Sequence, residues 1–208
     1  MKKVCAFIFS ICFSFQAYAG VEEARVRAFL NDTGQTLISA LGMQDLDKRY
    51  ELLDEIFEQN VDAAYMGQYV LGQYRSALND AQKKRYHALF KRYIKSLYKS
   101  YPIDFKTDEI GFEILNIKAF ENHADAVASI DLPEKYRTEN FEKIKVEFRV
   151  HEHDGVYQLA DLKIGEASLL IALKSRFLQM FKDDEGEAEW FLEDLEDLVK
   201  SNEAQLIH

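Results

Sequence analysis

Cysteine is almost missing from this chain. Of 208 residues only Cys5 and Cys12 carry a thiol, and both lie within the first nineteen positions. Beyond Gly20 there is therefore no disulfide framework and no thiolate metal site. Positive charge is also scarce: 26 Lys and Arg stand against 36 Asp and Glu, a formal net charge of −10. That balance argues against nucleic acid, whose phosphates demand clustered cations, and against adsorption to anionic lipid headgroups. No apolar run after Gly20 approaches the ~20 residues of a membrane span. No Gly-rich phosphate loop, internal repeat, low-complexity tract or Pro/Ser linker interrupts the sequence.

What is present begins at the start. Lys2 and Lys3 precede an apolar run from Val4 to Phe15, and Ala17-Tyr18-Ala19 offers a small-x-small cleavage site before Gly20. This order of charge, apolar core and small residues is that of a secretory signal peptide. Neither cysteine follows the small residue that a lipoprotein signal requires, so the expected product is exported, unlipidated and soluble. Cleavage of nineteen residues leaves 189 and a formal charge of −12, a length suited to one domain spanning residues 20–208.

The rest reads as helices, then strands, then helices. Val26, Phe29, Leu30, Thr33, Leu37, Ile38 and Leu41 recur at spacings of three and four from Val21 to about Gly42, as one helical face requires. A second helix carries Tyr50 to Phe57; Asp62 is placed to cap a third with Tyr65, Met66, Tyr69, Val70 and Tyr74 on its face. Asn79 or Asp80 opens a fourth, whose stripe from Tyr86 to Tyr101 ends at Pro102. The period then changes to two. Gly111–Phe120 and Ala124–Leu132 read as strands around a turn at Asn122, and Phe141–His151 alternates apolar with polar. Asp154-Gly155 signals a hairpin into Val156–Leu162, Gly165 breaks that strand, and Ser168 caps a helix. Glu185 onward is an acidic helix with Trp190, Phe191, Leu195 and Leu198. The economical fold is α+β, with helices packed on an antiparallel sheet of about four strands.

Little in the sequence looks like catalysis. His151 and His153 can share a strand face, but closed metal sites need further ligands from elsewhere, so a solvated strand end is the better reading and no metal is expected. Ser168 lacks the Gly-x-Ser-x-Gly elbow of a hydrolase. Asp183-Asp184-Glu185 and Glu193-Asp194 read as solvated helix ends, although an acidic helix also suits a basic partner. Ala124, Ala126 and Ala128 occupy alternate positions and leave volume above the sheet, which either a closely packed helix or a ligand can fill. The tyrosines on the third and fourth helices suit places where an apolar body meets water, such as a cavity mouth or a domain rim.

Several segments together resemble the MlaC-type periplasmic phospholipid carriers, also called toluene-tolerance proteins. They are Phe29-Leu30-Asn31-Asp32-Thr33, Val61-Asp62 with Met66, Val70-Leu71-Gly72-Gln73-Tyr74, the helix from Asn79-Asp80-Ala81-Gln82 to Tyr98, Tyr157-Gln158-Leu159 with Asp161, Gly165 with Ser168-Leu169, and Ser175-Arg176-Phe177. The chain departs from the family pattern at Val61, where Phe is usual, at Arg75 and Tyr157, where Trp is common, and at Glu166-Ala167, which interrupts Gly-Val-Ser. The resemblance implies a curved sheet crossed by helices, cystatin- or NTF2-like, enclosing a hydrophobic cavity for acyl chains. It implies a monomeric carrier moving phospholipid between an outer-membrane lipoprotein complex and an inner-membrane ABC transporter, so maintaining outer-membrane lipid asymmetry. Catalytic residues and cofactors are not implied; phospholipid is the cargo. The expected tail-contacting residues are Met66, Val70, Tyr74, Phe90, Tyr93, Ile94, Val127, Ile130, Val146, Phe148, Leu170 and Leu173. Val127 is included despite opposite parity to the alanine face, because register is weakly specified there. Two other readings stay open: an NTF2-like enzyme using Asp161 with His151 or Tyr157, and an interaction module docking through its acidic tail.

Overall fold

The computed structural model describes residues 20–99, 109–134, 137 and 143–206. The leader, Tyr101, Pro102, Phe141 and His208 therefore lie outside the described residues. Among those described, six α-helices precede and follow a single antiparallel sheet. The order is α1 (Glu23–Leu41), α2 (Leu46–Asn60), α3 (Ala63–Leu71), a 3-10 turn (Gly72–Ser76), α4 (Asp80–Lys99), β1 (Gly111–Ala119), β2 (His123–Asp131), β3 (Lys143–His153), β4 (Val156–Ile164), β5 (Ala167–Ser168), α5 (Leu169–Asp183) and α6 (Ala188–Ala204). No helix among them is long and apolar enough to cross a membrane.

Local chemistry explains the boundaries. Asp45 and Asp62 cap α2 and α3 by accepting from the Lys48 and Tyr65 amides, and Ser168 caps α5 by accepting from Ile171. Asn79 and Gln82 exchange reciprocal side-chain to backbone bonds at the start of α4, both 3.0 Å, which is a capping box. Asp154 and Gly155 both take positive φ, the requirement of a two-residue hairpin turn between β3 and β4.

The strands pair in the order β1-β2-β3-β4-β5, one more than the sequence suggests because the two-residue β5 pairs back onto β4. Ladder register puts Ala124, Ala126 and Ala128 opposite Val150, Phe148 and Val146, with Ile130 opposite Ile144, all on one face. Two bulges break the strict alternation. Leu115 is an extra residue between Ile114 and Asn116, and Ala160 is an extra residue between Leu159 and Asp161. Each lets two apolar residues three apart, Ile114 with Ile117 and Leu159 with Leu162, reach the same face, where a period of two would separate them.

Two cores result. In the first, Val26 and Leu30 of α1 pack on Ile114, Ile117, Ala124, Ala126 and Val150. All three alanines are fully buried, and over Ala124 and Ala126 it is helix α1, through Val26 and Leu30, that occupies the volume. Close approach extends to Gly34, where an added Cβ would meet the Phe112 ring at 2.9 Å. The second core lies within α3 to α6: Tyr86, Phe90, Tyr93, Phe177, Phe181, Phe191 and neighbouring aliphatics interlock. Tyr86 reaches 0% exposure and donates its hydroxyl to the Gly67 carbonyl at 2.9 Å, the partner that a buried phenol needs.

Helix α6 docks on α4 through charge at seven-residue spacing. Arg85 bridges Glu189 and Glu196, and Arg92 pairs bidentately with Glu203. Part of the acidic tail thus meets cations of its own chain.

Candidate lipid cavity

Between the two cores the packing does not close. A cavity of ≈ 270 Å³ lies at the seam where the helices meet the β3–β4 side of the sheet. Helix α1 contributes Thr33 and Leu37; α2 contributes Leu53, Ile56 and Phe57. Val61 and Met66 border it from α3 and the residues just before it, Ile94 and Tyr98 from α4, and Leu169 from α5. The sheet supplies Phe148, Leu159 and Leu162. Leu159 and Leu162 both face it because Ala160 is the extra residue of the bulge.

The few polar groups at this seam are engaged. Thr33 Oγ1 accepts from Asn60 at 2.6 Å, joining α1 to the end of α2. Tyr98 donates to Asp54 at 2.9 Å, and burial pushes its phenol far above the ordinary value. Asp161 accepts from the Leu162 and Leu170 amides through Oδ1 and from Ser168 through Oδ2, tying β4 to the start of α5. Its role is to cap and anchor. The lining that remains is hydrocarbon, which can desolvate an apolar ligand and offers no hydrogen bond to orient a reacting group.

A second recess of ≈ 300 Å³ borders this cavity at Phe148 and Asp161 and differs in chemistry. It lies on the polar face of the sheet, with Asp125, Glu147, Arg149 and Lys163 beneath Tyr65, Tyr69 and Ile171. Arg149 binds Asp125 bidentately at 2.9 and 3.1 Å, and Lys163 binds Glu147 at 2.9 Å. Burial pushes the Asp125 carboxyl up, but the Arg149 hydrogen bond and charge outweigh it and leave the group below its usual range.

Of the twelve residues anticipated from the sequence, Met66, Ile94 and Phe148 meet at the apolar cavity. Val70, Phe90, Tyr93 and Leu173 lie in the filled helical core, as does Leu170, which also borders the polar recess. Tyr74 stacks on Phe181 at 4.2 Å at the edge of that core. Val146 is buried and Ile130 half-buried on the alanine face, away from the cavity. Val127 sits on the opposite face, between Asn116 and Glu147. Residues of α2 and β4 were not anticipated. Their signal was Leu53, Ile56 and Phe57 on a short helix with no other sheet to cover, and the doubled apolar pair in Leu159-Ala160-Asp161-Leu162.

His151 does not reach Asp161. Its Nδ1 lies 3.0 Å from Asp62, whose other oxygen caps α3. Burial pushes His151 below the ordinary imidazole value, against the opposing pull of the Asp62 carboxylate. Contrary to the sequence reading, the fold does bring a third metal-type side chain to the His151-x-His153 pair: Asp62.

Comparison with known proteins agrees with this architecture. No curated protein sequence matches the chain. Among solved structures, the phospholipid-binding protein from Ralstonia solanacearum, determined in complex with a phospholipid, superposes with a TM-score of 0.68. It is 16% identical, and the match covers 86% of this chain and 97% of that one, so the two share a fold. The family model described as MlaC protein matches residues 31–197, from the middle of α1 through the sheet into α6. By that match the chain belongs to the MlaC family.

Proposed function

We propose that this protein is a phospholipid carrier without catalytic activity, which shelters acyl chains in the seam between its two cores. One observation carries the reading: an apolar cavity lined by helices α1 to α5 and the sheet, with its polar groups already bonded, in a chain of the MlaC family. Each buried methylene contributes ~0.8 kcal/mol, so lipid tails cannot cross water unshielded. The cavity volume of ≈ 270 Å³ sits just under the ~300–1,000 Å³ of ordinary ligand pockets. Two acyl chains therefore require the seam to open, with α1 and α2 as the walls that would move, although Leu30 and Phe57 tie each of them to a core.

The full proposal places the protein in the periplasm after removal of its leader. There it would pass lipid between an outer-membrane lipoprotein complex and an inner-membrane ABC transporter, and so help to keep the outer membrane asymmetric. The acidic net charge supports contact with membranes through protein partners rather than by direct adsorption. The enzyme alternative has less support, since Asp161, Ser168 and His151 are each held in capping or tethering bonds.

The test is direct. Native mass spectrometry of gently purified protein is expected to show bound phospholipid, and Ile56→Trp, which fills the seam, is expected to remove at least about nine-tenths of it with the fold intact. A protein that is always empty and accepts no lipid from vesicles overturns the proposal.

A further inference from the structure

A second site is built where α3 begins. His151 and His153 stand two apart on β3 and so project from the same face, and Asp62 meets them from the N-cap of α3. Asp62 Oδ2 lies 3.0 Å from His151 Nδ1 and 3.7 Å from His153 Nε2, and one ligand-type atom from each of the three residues lies within 4.8 Å of the others. We propose that Asp62, His151 and His153 form a binding site for one divalent transition-metal ion of the zinc class.

The geometry is close to what such an ion needs. Ligands held tetrahedrally at ~2.0–2.1 Å from zinc are about 3.4 Å from one another, and the separations of Asp62 Oδ2 from the two imidazole nitrogens fall on either side of that value. Two imidazoles and one carboxylate form a donor set that suits zinc, copper or nickel rather than calcium or magnesium, which require oxygen. Three protein ligands leave a fourth position to water. The adjacent recess of ≈ 410 Å³, edged by Asn122, His123 and Arg149, provides space for it.

The supporting groups hold two of the three ligands in place. Asp62 Oδ1 accepts from the Tyr65 amide at 3.0 Å, and the Asp62 amide donates to the Leu159 carbonyl at 2.9 Å. These bonds fix the carboxylate so that Oδ2 is the oxygen left facing the histidines. The Tyr65 and His151 rings pack in a T-shaped pair with centroids 4.4 Å apart. A direct hydrogen bond between Asp62 and His151 explains the pair without a metal. It does not explain His153, whose side chain is 65% exposed and yet directs Nε2 towards the same oxygen.

An ion here would join two walls of the apolar cavity. Met66 lies one helical turn beyond Asp62 on α3, and Phe148 lies on β3 three residues before His151. The metal would thus fasten helix to strand beside the cavity, whether or not the carrier reading holds.

The test uses tag-free, chelator-stripped protein titrated with Co²⁺, followed by visible absorption, and with Zn²⁺, followed by calorimetry. The expectation is one ion per chain, with affinity falling at least about tenfold in His153→Ala and in Asp62→Asn. The second change keeps a good N-cap while removing the charge, and far-UV circular dichroism monitors folding of both. No saturable binding below about 100 µM, or wild-type affinity in either variant, overturns the site.

Discussion

The helical core and the seam beside it are built from the same kinds of residue and end in opposite states. Around Phe177 four aromatic rings close in: Tyr93 at 5.4 Å, Phe90 at 6.0 Å, Phe191 at 6.1 Å and Tyr86 at 6.3 Å between centroids. At the seam, Leu53, Ile56, Phe57, Leu159 and Leu162 face one another across a hollow. The difference is one of partners. Helices α4, α5 and α6 pack side against side, so each stripe finds a complementary stripe. Helix α2 reaches the helical core only at Phe57, which meets Tyr98 at 6.1 Å, and the rest of its apolar face looks across the hollow at a bulged strand.

The largest test of that contrast is Phe177→Ala, expected to destabilise by ~3–5 kcal/mol because a filled site is emptied. Leu162→Ala at the seam should cost less than about 2 kcal/mol, since one side of that leucine already lacks neighbours. Urea denaturation of both variants decides the matter, and equal losses would mean that the seam is as tightly packed as the core.

Next in size is Tyr86→Phe. It removes the phenol that donates to the Gly67 carbonyl in the buried interface of α3 and α4, a carbonyl that also accepts within its own helix, and a loss of ~0.5–1.5 kcal/mol is expected from the same denaturation experiment. A neutral outcome would indicate that water reaches the helical core.

The smallest effect is in pH. Burial between α3 and α4 pushes the His87 imidazole below its ordinary value, so the unfolded chain takes up the proton first as pH falls. Stability should therefore hold above pH ~6.5 and decline as pH drops below it. His87→Gln should flatten that part of the profile, as followed by thermal melts between pH 7 and 5. An unchanged slope would remove His87 from the account.

Much of the fold was legible in the sequence, and for definite reasons. The stripe from Tyr86 to Tyr98, the alternation of Ile144, Val146, Phe148 and Val150, the Asp154-Gly155 turn and the Asp62 and Ser168 caps each express one local rule, and the structure places each as read. The cavity was harder to read. Periodicity reports that a side chain is buried, but not whether the space facing it is occupied, so Phe90 and Tyr93 read like Ile94 although only the last borders the hollow. Bulges hide for a related reason. Leu159 and Leu162 have the wrong spacing for one strand face unless a residue between them is uncounted. The third member of the histidine cluster lay 89 residues away from His151, beyond the reach of any local pattern.

Ala160 also bears on how this strand tolerates change in length. Its neighbours read Leu159, Asp161 and Leu162, which without it would alternate without a fault and still meet Val150, Arg149 and Phe148 in turn. A chain shortened by that one residue would thus keep every inward and outward assignment and give up only the bend and added twist of the bulge. The regular strand is a single deletion away, which makes the irregular one separable from the fold. Whatever the bend supplies to the hollow beside it can be subtracted in one step, with the rest of the sheet as the unchanged control.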